Sequence, residues 1–329
     1  MKNDYSRVCI INSAYALFNY LLISAPKEIE DTFFFFSTGI PESCRNYFSK
    51  QSEFIPPSKN KIIGEFKEIY TRFFIRWRYP FIRKAEFWGM TCAPWSAEIL
   101  GNKNSINLVE EGGEYNDITE TPRKFQKIRQ FLHGKLYNNT RNFSDNKVYK
   151  KIYITGQNPN APIMKLNNIV LFNIKTLWNE DEKKRDIIYK AFNITEEDQK
   201  ALSKCKSILL TQTLAEDKLI TIEEEIKLYR NLVKDTDKTS LCIKTHPREY
   251  MKNYKEIFPE SVIFEKKIPM QLLVLCFNTE QLECAYTVFS TALRSFKNIN
   301  DKIKLVFLGT EIHPELEKRY GKVILEFKL

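Results

Sequence analysis

Short apolar segments of strand length recur along this chain, and segments with helical spacing of apolar residues lie between them. The pattern starts with a strand over residues 7–12, a helix from Ala14 to about Ala25 and a second strand over residues 31–37. Eight further apolar segments span residues 84–89, 105–110, 151–155, 207–211, 239–244, 261–264, 285–288 and 304–308. Continuous apolar strands that alternate with helices are typical of parallel sheets covered on both faces, so the pattern predicts a doubly wound α/β protein.

The length of the chain predicts two domains. Its 329 residues exceed the usual size of a single hydrophobic core. Turn-forming residues with little periodicity are concentrated in residues 136–147, and we place the boundary there. The predicted domains are residues 1–145 and 146–329, each of them Rossmann-like. Functional loops follow the carboxyl ends of parallel strands, so we expect an active site in a central cleft that the two sheets face.

The charge balance favours an anionic partner. Lysine and arginine number 51 against 41 for aspartate and glutamate, which gives a formal net charge of +10. A nucleotide, a nucleic acid or an acidic membrane surface would each fit that sign. Charges of both signs are interleaved along the chain, however, and no basic block stands out. We therefore expect no nucleic-acid partner.

Cysteine and histidine usage predicts a protein without disulfides or metal. The seven cysteines form no Cys-x-x-Cys pair, and an odd number over so long a chain is typical of a reducing compartment. The three histidines are not spaced with cysteines as zinc ligands are. The N-terminal residues lack the features of a signal peptide, and no apolar stretch reaches the length of a membrane span. We expect a cytoplasmic protein whose contact with the inner face of the membrane is at most peripheral.

The first candidate site is an apolar strand that runs into Glu110, Glu111, Gly112 and Gly113. Two adjacent carboxylates repel each other, which can raise the pKa of one of them. The glycines would let a substrate approach closely, so one carboxylate could serve as a general base toward a hydroxyl group. A solvated turn is the alternative interpretation of these four residues.

The second candidate is the strand that ends at Lys244-Thr245-His246-Pro247-Arg248. A histidine at the carboxyl end of a strand, with Lys244 and Arg248 nearby, suits an anionic leaving group because it can hydrogen-bond a phosphate and neutralise developing charge. An ordinary loop histidine is equally compatible. The dipeptide alone is a weak signal, since His313-Pro314 repeats it.

The third candidate is the strand that meets Ser290 and Thr291 at a predicted helix start. The N-terminus of a helix binds phosphate through its free backbone N–H groups, and the two hydroxyls would add donors. Serine and threonine are also common helix caps, so a cap without any ligand is the alternative.

The order of these three motifs, each after a predicted strand, resembles bacterial sialyltransferases. A carboxylate pair followed by glycine, then His-Pro, then Ser-Thr is similar to the motifs shared by glycosyltransferase families 52, 80 and 38. Family 52, which contains lipooligosaccharide and capsule sialyltransferases, is the most similar. Residues 9–17, 151–156 and 209–217 also resemble that family, so the likeness covers nearly the whole chain.

The resemblance implies a GT-B fold and an inverting reaction without metal or cofactor. The donor would be CMP-sialic acid, and the acceptor a galactose-terminated bacterial surface glycan of lipooligosaccharide or capsule, joined through an α-2,3 linkage. A polysialyltransferase, a transferase of another CMP-sugar, and a glycan- or nucleotide-binding protein of the same fold remain open as alternatives. A homodimer is compatible with the sequence.

The resemblance also implies roles for individual residues. Glu111 would be the base, with Glu110 and Asp217 as the alternative carboxylates, and His246 would stabilise or protonate the departing phosphate. The substrate-binding residues would be Gly112, Gln212, Lys244, Pro247, Gln271, Ser290 and Thr291. Among these, Ser290 and Thr291 would hold the phosphate, Lys244 would contact the nucleotide, and Pro247 would shape the base pocket.

Two departures from the family pattern concern substrate recognition. Gln271 stands where related enzymes have a glutamate that binds the ribose, so it would bind the ribose more weakly. Residues 88–91 lack the acidic and histidine side chains expected after Gly89. Trp88 and Trp95 could instead form a stacking platform for a sugar, although at least one of them is expected in the core.

Overall fold

A computed structural model describes residues 4–56, 74–75, 77–89, 106–111, 149–156, 162–297 and 299–323. Its contacts divide the chain into two units, Met1–Asn193 and Ile194–Leu329. Among the described residues, each unit contains one sheet with helices around it. Within the described ranges, no helix is long and apolar enough to cross a bilayer.

The first unit is built on a seven-stranded sheet. Its strands are β1 (Arg7–Ile11), β2 (Thr32–Phe36), β3 (Ser52–Phe54), β4 (Glu86–Gly89), β5 (Ile106–Val109), β6 (Tyr149–Ile154) and β7 (Ile169–Leu171). They pair in the order β3-β2-β1-β4-β5-β6-β7, every pair parallel. The helices are α1 (Ala14–Ile23), α2 (Pro26–Glu30), α3 (Glu42–Tyr47), α4 (Ile174–Glu180) and α5 (Glu182–Phe192). The first six strands follow the Rossmann order 3-2-1-4-5-6.

The second unit is built on a five-stranded sheet. Its strands are β8 (Ser207–Leu210), β9 (Leu241–Lys244), β10 (Val262–Phe264), β11 (Cys284–Thr287) and β12 (Lys304–Phe307). They pair in the order β10-β9-β8-β11-β12, again all parallel. The helices are α6 (Glu196–Ser203), α7 (Ile222–Leu232), α8 (Tyr254–Ile257), α9 (Met270–Cys276), α10 (Arg294–Lys297) and α11 (Pro314–Tyr320).

The predicted strands are confirmed, and two short ones were missed. Every apolar segment singled out in the sequence overlaps a strand. The missed strands, β3 and β7, have three residues each and lie at the two edges of the first sheet. Their residues are half-buried or exposed, so they lack the continuous apolar run that marks a strand covered on both faces.

The division into units differs from the predicted boundary between residues 145 and 146. Strand β6 pairs with β5, and β7 pairs with β6, so the chain returns to the first sheet after the proposed linker. Helices α4 and α5 then pack against α1. The first unit ends at Asn193, which terminates α5 in a left-handed conformation with φ of 55°. The segment 136–147 itself lies outside the described residues.

The centre of the first sheet is buried on both faces. Residues 8–11 of β1 and the four phenylalanines of β2 are all 0–1% exposed. Gly89 ends β4 beside β1 with φ of +102°, and a Cβ atom there would lie 2.1 Å from the carbonyl oxygen of Ile10. This close approach of two backbones requires glycine, because no side chain can move away to relieve the contact.

Replacement of Gly89 by alanine should destabilise the first unit by about 3 kcal/mol, since it adds left-handed strain to a backbone clash. Gly156→Ala is the matched control: its φ is +69°, but its Cβ would meet only the flexible end of Leu171. We expect it to cost about 1 kcal/mol. The four tryptophans, at positions 77, 88, 95 and 178, all lie in the first unit, so urea unfolding followed by tryptophan fluorescence reports on that unit. Equal losses of unfolding free energy in Gly89→Ala and Gly156→Ala would contradict the backbone clash at Gly89.

Candidate active site

The three central strands of the second sheet end side by side. Strand β8 lies between β9 and β11, and all three run in parallel. Their carboxyl ends lead into the loops that carry Asp217, His246 and Ser290 respectively. The strand order also reverses at β8, which is where ligands bind in open α/β sheets. The sequence motifs after these strands are therefore brought to one edge of one sheet.

His246 is half-buried and held by its backbone. Its N–H donates to Thr211 Oγ1 at 3.0 Å and to Glu249 Oε2 at 2.6 Å. Its ring Nδ1 accepts the Arg248 N–H at 3.2 Å, so the neutral imidazole carries its proton on Nε2. Burial, Arg248 and Lys244 together lower the pKa of His246. At neutral pH the residue is a neutral donor with Nε2–H available to a ligand.

Asp217 forms a small polar cluster with Thr213 and Arg248. Thr213 Oγ1 donates to Asp217 Oδ2 at 2.7 Å, and the Arg248 guanidinium donates to both Asp217 oxygens at 3.2 and 3.3 Å. The hydrogen bond from Thr213, followed by Arg248 and the nearby His246, lowers the pKa of Asp217. The carboxyl group is therefore ionised at neutral pH.

A cavity of about 520 Å³ opens beside this cluster. It is lined by Asp217, Leu219, Arg248, Arg319 and Tyr320. Its size falls within the range of small-molecule sites. Two guanidinium groups and an aromatic ring suit an anionic ligand that also carries a flat or apolar part.

Lys244 and Gln212 both make hydrogen bonds at the ends of their strands. The Lys244 ammonium is buried and donates to the Thr245 carbonyl at 2.6 Å, and burial lowers its pKa to about 8. Gln212 Oε1 accepts the Phe289 N–H at 2.9 Å, which ties the end of β8 to the loop before Ser290. Gln212 thus joins two loops, whereas the Lys244 contact is local, and substrate binding by either residue stays a prediction.

The helix predicted to begin at Ser290 is short. Ser290 caps a 3₁₀ turn over Thr291–Leu293, and its Oγ accepts the Ala292 N–H at 3.3 Å. Thr291 is exposed. The second His-Pro dipeptide has a comparable capping role, because His313 Nδ1 accepts the Glu315 N–H at the start of α11.

Pro247 and Gln271 both follow strands of the second sheet. Pro247 is exposed in the turn that follows His246, and Gln271 is half-buried in the first turn of α9, which follows the edge strand β10. These placements are compatible with the predicted contacts to the base and the ribose, which stay predictions.

The carboxylate pair belongs to the first unit. Glu110 is buried, and its Oε2 accepts the Thr155 N–H at 2.6 Å. Burial raises the pKa of Glu110, against the opposing effect of the hydrogen bonds from Thr155. Glu111 is half-buried, and Gly112 lies outside the described residues.

Trp88 is a core residue rather than a stacking platform. It is 6% exposed, and its ring centroid lies 5.7 Å from that of Tyr20 and 5.1 Å from that of Tyr153. The Arg7 guanidinium covers it at 4.8 Å. The other candidate platform, Trp95, lies outside the described residues.

Sequence reasoning missed several residues of this site. Thr213, Glu249, Lys252, Arg319 and Tyr320 all take part in the contacts or line the cavity. Arg319 and Tyr320 come from the last turn of α11, where no local motif marks them. The Glu249 carboxylate three residues after His246 was the one available local signal.

Comparisons with known proteins agree with this organisation. The family model of glycosyltransferase family 52 matches residues 98–312. An uncharacterized protein of Haemophilus influenzae is 29% identical over 97% of this chain and 99% of its own. The crystal structure of an alpha/beta-galactoside alpha-2,3-sialyltransferase from Photobacterium phosphoreum covers 96% of this chain and 95% of its own, with 15% identity and a TM-score of 0.55. The structural likeness confirms the predicted GT-B fold class.

Removal of the Arg248 charge should raise the pKa of His246 toward its ordinary value. In Arg248→Met the imidazole loses a nearby cation and gains the uncompensated charge of Asp217, and both changes favour the protonated ring. NMR titration of the histidine ring signals measures this, with His246→Gln used for assignment. Arg230→Met, an exposed arginine on α7, is the control and should leave the pKa unchanged. A lowered or constant pKa in Arg248→Met would contradict the electrostatics described here.

Proposed function

Since the chain belongs to glycosyltransferase family 52, we propose that it is an inverting sialyltransferase. It transfers sialic acid from CMP-sialic acid to a galactose-terminated bacterial surface glycan, of lipooligosaccharide or capsule, through an α-2,3 linkage. The observation that carries this proposal is the convergence of Asp217, His246 and Ser290 after three adjacent parallel strands. All three lie within the segment matched by the family.

His246 supports departure of the nucleotide. Its Nε2–H donates to a phosphate oxygen of the donor, because Nδ1 is occupied by the Arg248 N–H. As the bond between the anomeric carbon and the phosphate oxygen breaks, the electron pair goes to the phosphate and this hydrogen bond strengthens. The Ser290 and Thr291 hydroxyls, on the neighbouring loop, hold the same phosphate.

We assign the base to Asp217. Its lowered pKa keeps it ionised, which a base needs before it accepts a proton, and its side chain is 32% exposed to an incoming substrate. Glu110 fits the role less well, because it is buried and a substrate hydroxyl could not reach it as readily as it could reach Asp217. Asp217 takes the proton of the acceptor hydroxyl while the hydroxyl oxygen attacks the anomeric carbon from the face opposite the phosphate.

Donor specificity follows from the cavity charge. Sialic acid carries a carboxylate besides the phosphate of the nucleotide, and Arg248 and Arg319 are among the residues that line the cavity. The Photobacterium protein is an alpha/beta-galactoside alpha-2,3-sialyltransferase, and its acceptor class and linkage are carried over here as part of the proposal.

Three substitutions separate the proposed roles. Asp217→Asn keeps a hydrogen-bond partner for Thr213 but removes the base, so transfer should fall roughly 10²–10⁴-fold with CMP affinity near normal. His246→Ala should weaken both turnover and CMP binding. Glu111→Gln should be mild. Initial rates with CMP-sialic acid and lactose, product masses and calorimetric CMP affinities give these values.

The control for Asp217→Asn is Asp186→Asn, which also removes a carboxylate paired with a cation, Lys190, but on the surface of the first unit. It should leave the rates unchanged. If Glu111→Gln abolishes transfer and Asp217→Asn does not, the base belongs to Glu111. Products with more than one added sialic acid would favour the polysialyltransferase, and CMP binding without any transfer would favour a binding protein.

Transfer should continue without divalent metal. Lys244, Arg248 and Arg319 offer the positive charge that a metal ion supplies to the phosphates in other nucleotide-sugar enzymes. Rates measured after EDTA treatment should stay within about twofold of the untreated enzyme. Complete loss, restored by magnesium or manganese, would overturn the metal-independent mechanism.

A further inference from the structure

A lysine with a fully buried side chain contacts both of the loops that carry Asp217 and His246. The Lys252 side chain has no solvent exposure, and its ammonium lies 2.9 Å from Glu216, 2.8 Å from Glu225 and 3.4 Å from Glu249. These three carboxylates are 0–4% exposed. An ammonium group has three N–H donors, so each one has a carboxylate to meet.

The carboxylates are in turn held by other groups. Tyr229 and the Ala215 N–H donate to Glu225 at 2.8 and 2.9 Å. Tyr254 donates to Glu249 at 2.6 Å. The hydrogen bonds to Glu225 and Glu216 raise the pKa of Lys252 despite its burial, so the ammonium stays charged at the centre of this network.

The three carboxylates come from three different segments. Glu216 is the neighbour of Asp217 in the loop after β8. Glu249 belongs to the loop after β9 and its Oε2 receives the backbone N–H of His246 at 2.6 Å. Glu225 is a buried residue of α7. One ammonium thus joins the loop that carries Asp217 to the loop that carries His246.

We propose that Lys252 is a positioning residue that fixes the Asp217 and His246 loops relative to each other. It acts through Glu216 on one loop and through Glu249 on the other, and it touches no substrate. Its effect on transfer rests on the function proposed above, whereas its effect on the position of His246 does not.

The position of Lys252 also bears on whether these three carboxylates could bind a metal ion. Within the part of the chain that the structure describes, Glu216, Glu225 and Glu249 are the group whose oxygens lie close enough, within 4.8 Å, to share a metal ion. The Lys252 ammonium lies between them. A permanent internal cation compensates carboxylates that would otherwise repel one another in a buried place.

The test compares Lys252→Met with Lys184→Met. Lys184 is also a buried lysine, and it donates to the Leu22 carbonyl at 2.7 Å in the first unit, far along the chain from the site. Both substitutions should lower the melting temperature. In Lys252→Met alone, the His246 amide should exchange with solvent at least about 10-fold faster and CMP should bind at least about 10-fold more weakly, because small misplacements of site groups have large effects. The Ile243 amide in β9 serves as the internal reference.

The outcomes separate this proposal from the proposed function. Wild-type exchange of the His246 amide in Lys252→Met would overturn the positioning role, and so would an equal loss in Lys184→Met. If Lys252→Met fails to fold, Glu216→Gln takes its place, since it weakens the same contact while reducing the buried negative charge. In that variant, unchanged His246 exchange overturns the proposal. Absence of CMP binding by the wild-type protein would refute the proposed function and leave the amide measurement to decide the role of Lys252.

Discussion

The parallel pairing of β8 with both β9 and β11 is the constraint on which the rest of the site depends. Parallel neighbours end at the same edge, so the loops after all three strands emerge together. The strands themselves are buried, with only Tyr286 of β11 partly exposed. The sheet therefore brings the polar residues after these strands together, whatever their spacing along the chain.

Loops that meet in this way still need internal ties, and this protein supplies them with polar side chains. Gln212 connects the end of β8 to the start of the Ser290 loop, and Glu249 receives the backbone of His246. Lys252 connects the acids behind two of these loops. These contacts hold the loops that carry Asp217, His246 and Ser290.

Much of the fold could be read from the sequence, because its main strands are continuous apolar runs. Strands β3 and β7 were missed because edge strands need no such run. The first unit extends past the predicted boundary because β6 returns to the first sheet after a segment rich in turn formers. At the site, His246 and Ser290 could be found from their place after strands. Lys252 could not be found, because a lysine among interleaved charges gives no sign that the fold will bury it. Arg319 could not be found either, because it lies on a helix about 70 residues after His246.

The place of β6 and β7 has a consequence for dividing this gene into separately expressed halves. A cut at residue 145 would remove both strands from the first sheet and leave β5, whose four residues are fully buried, as an open edge. Unpaired N–H and C=O groups along such an apolar edge are a template for aggregation. A cut after Asn193 would leave every strand of both sheets with its native neighbours, and the second half would retain all members of the Lys252 network.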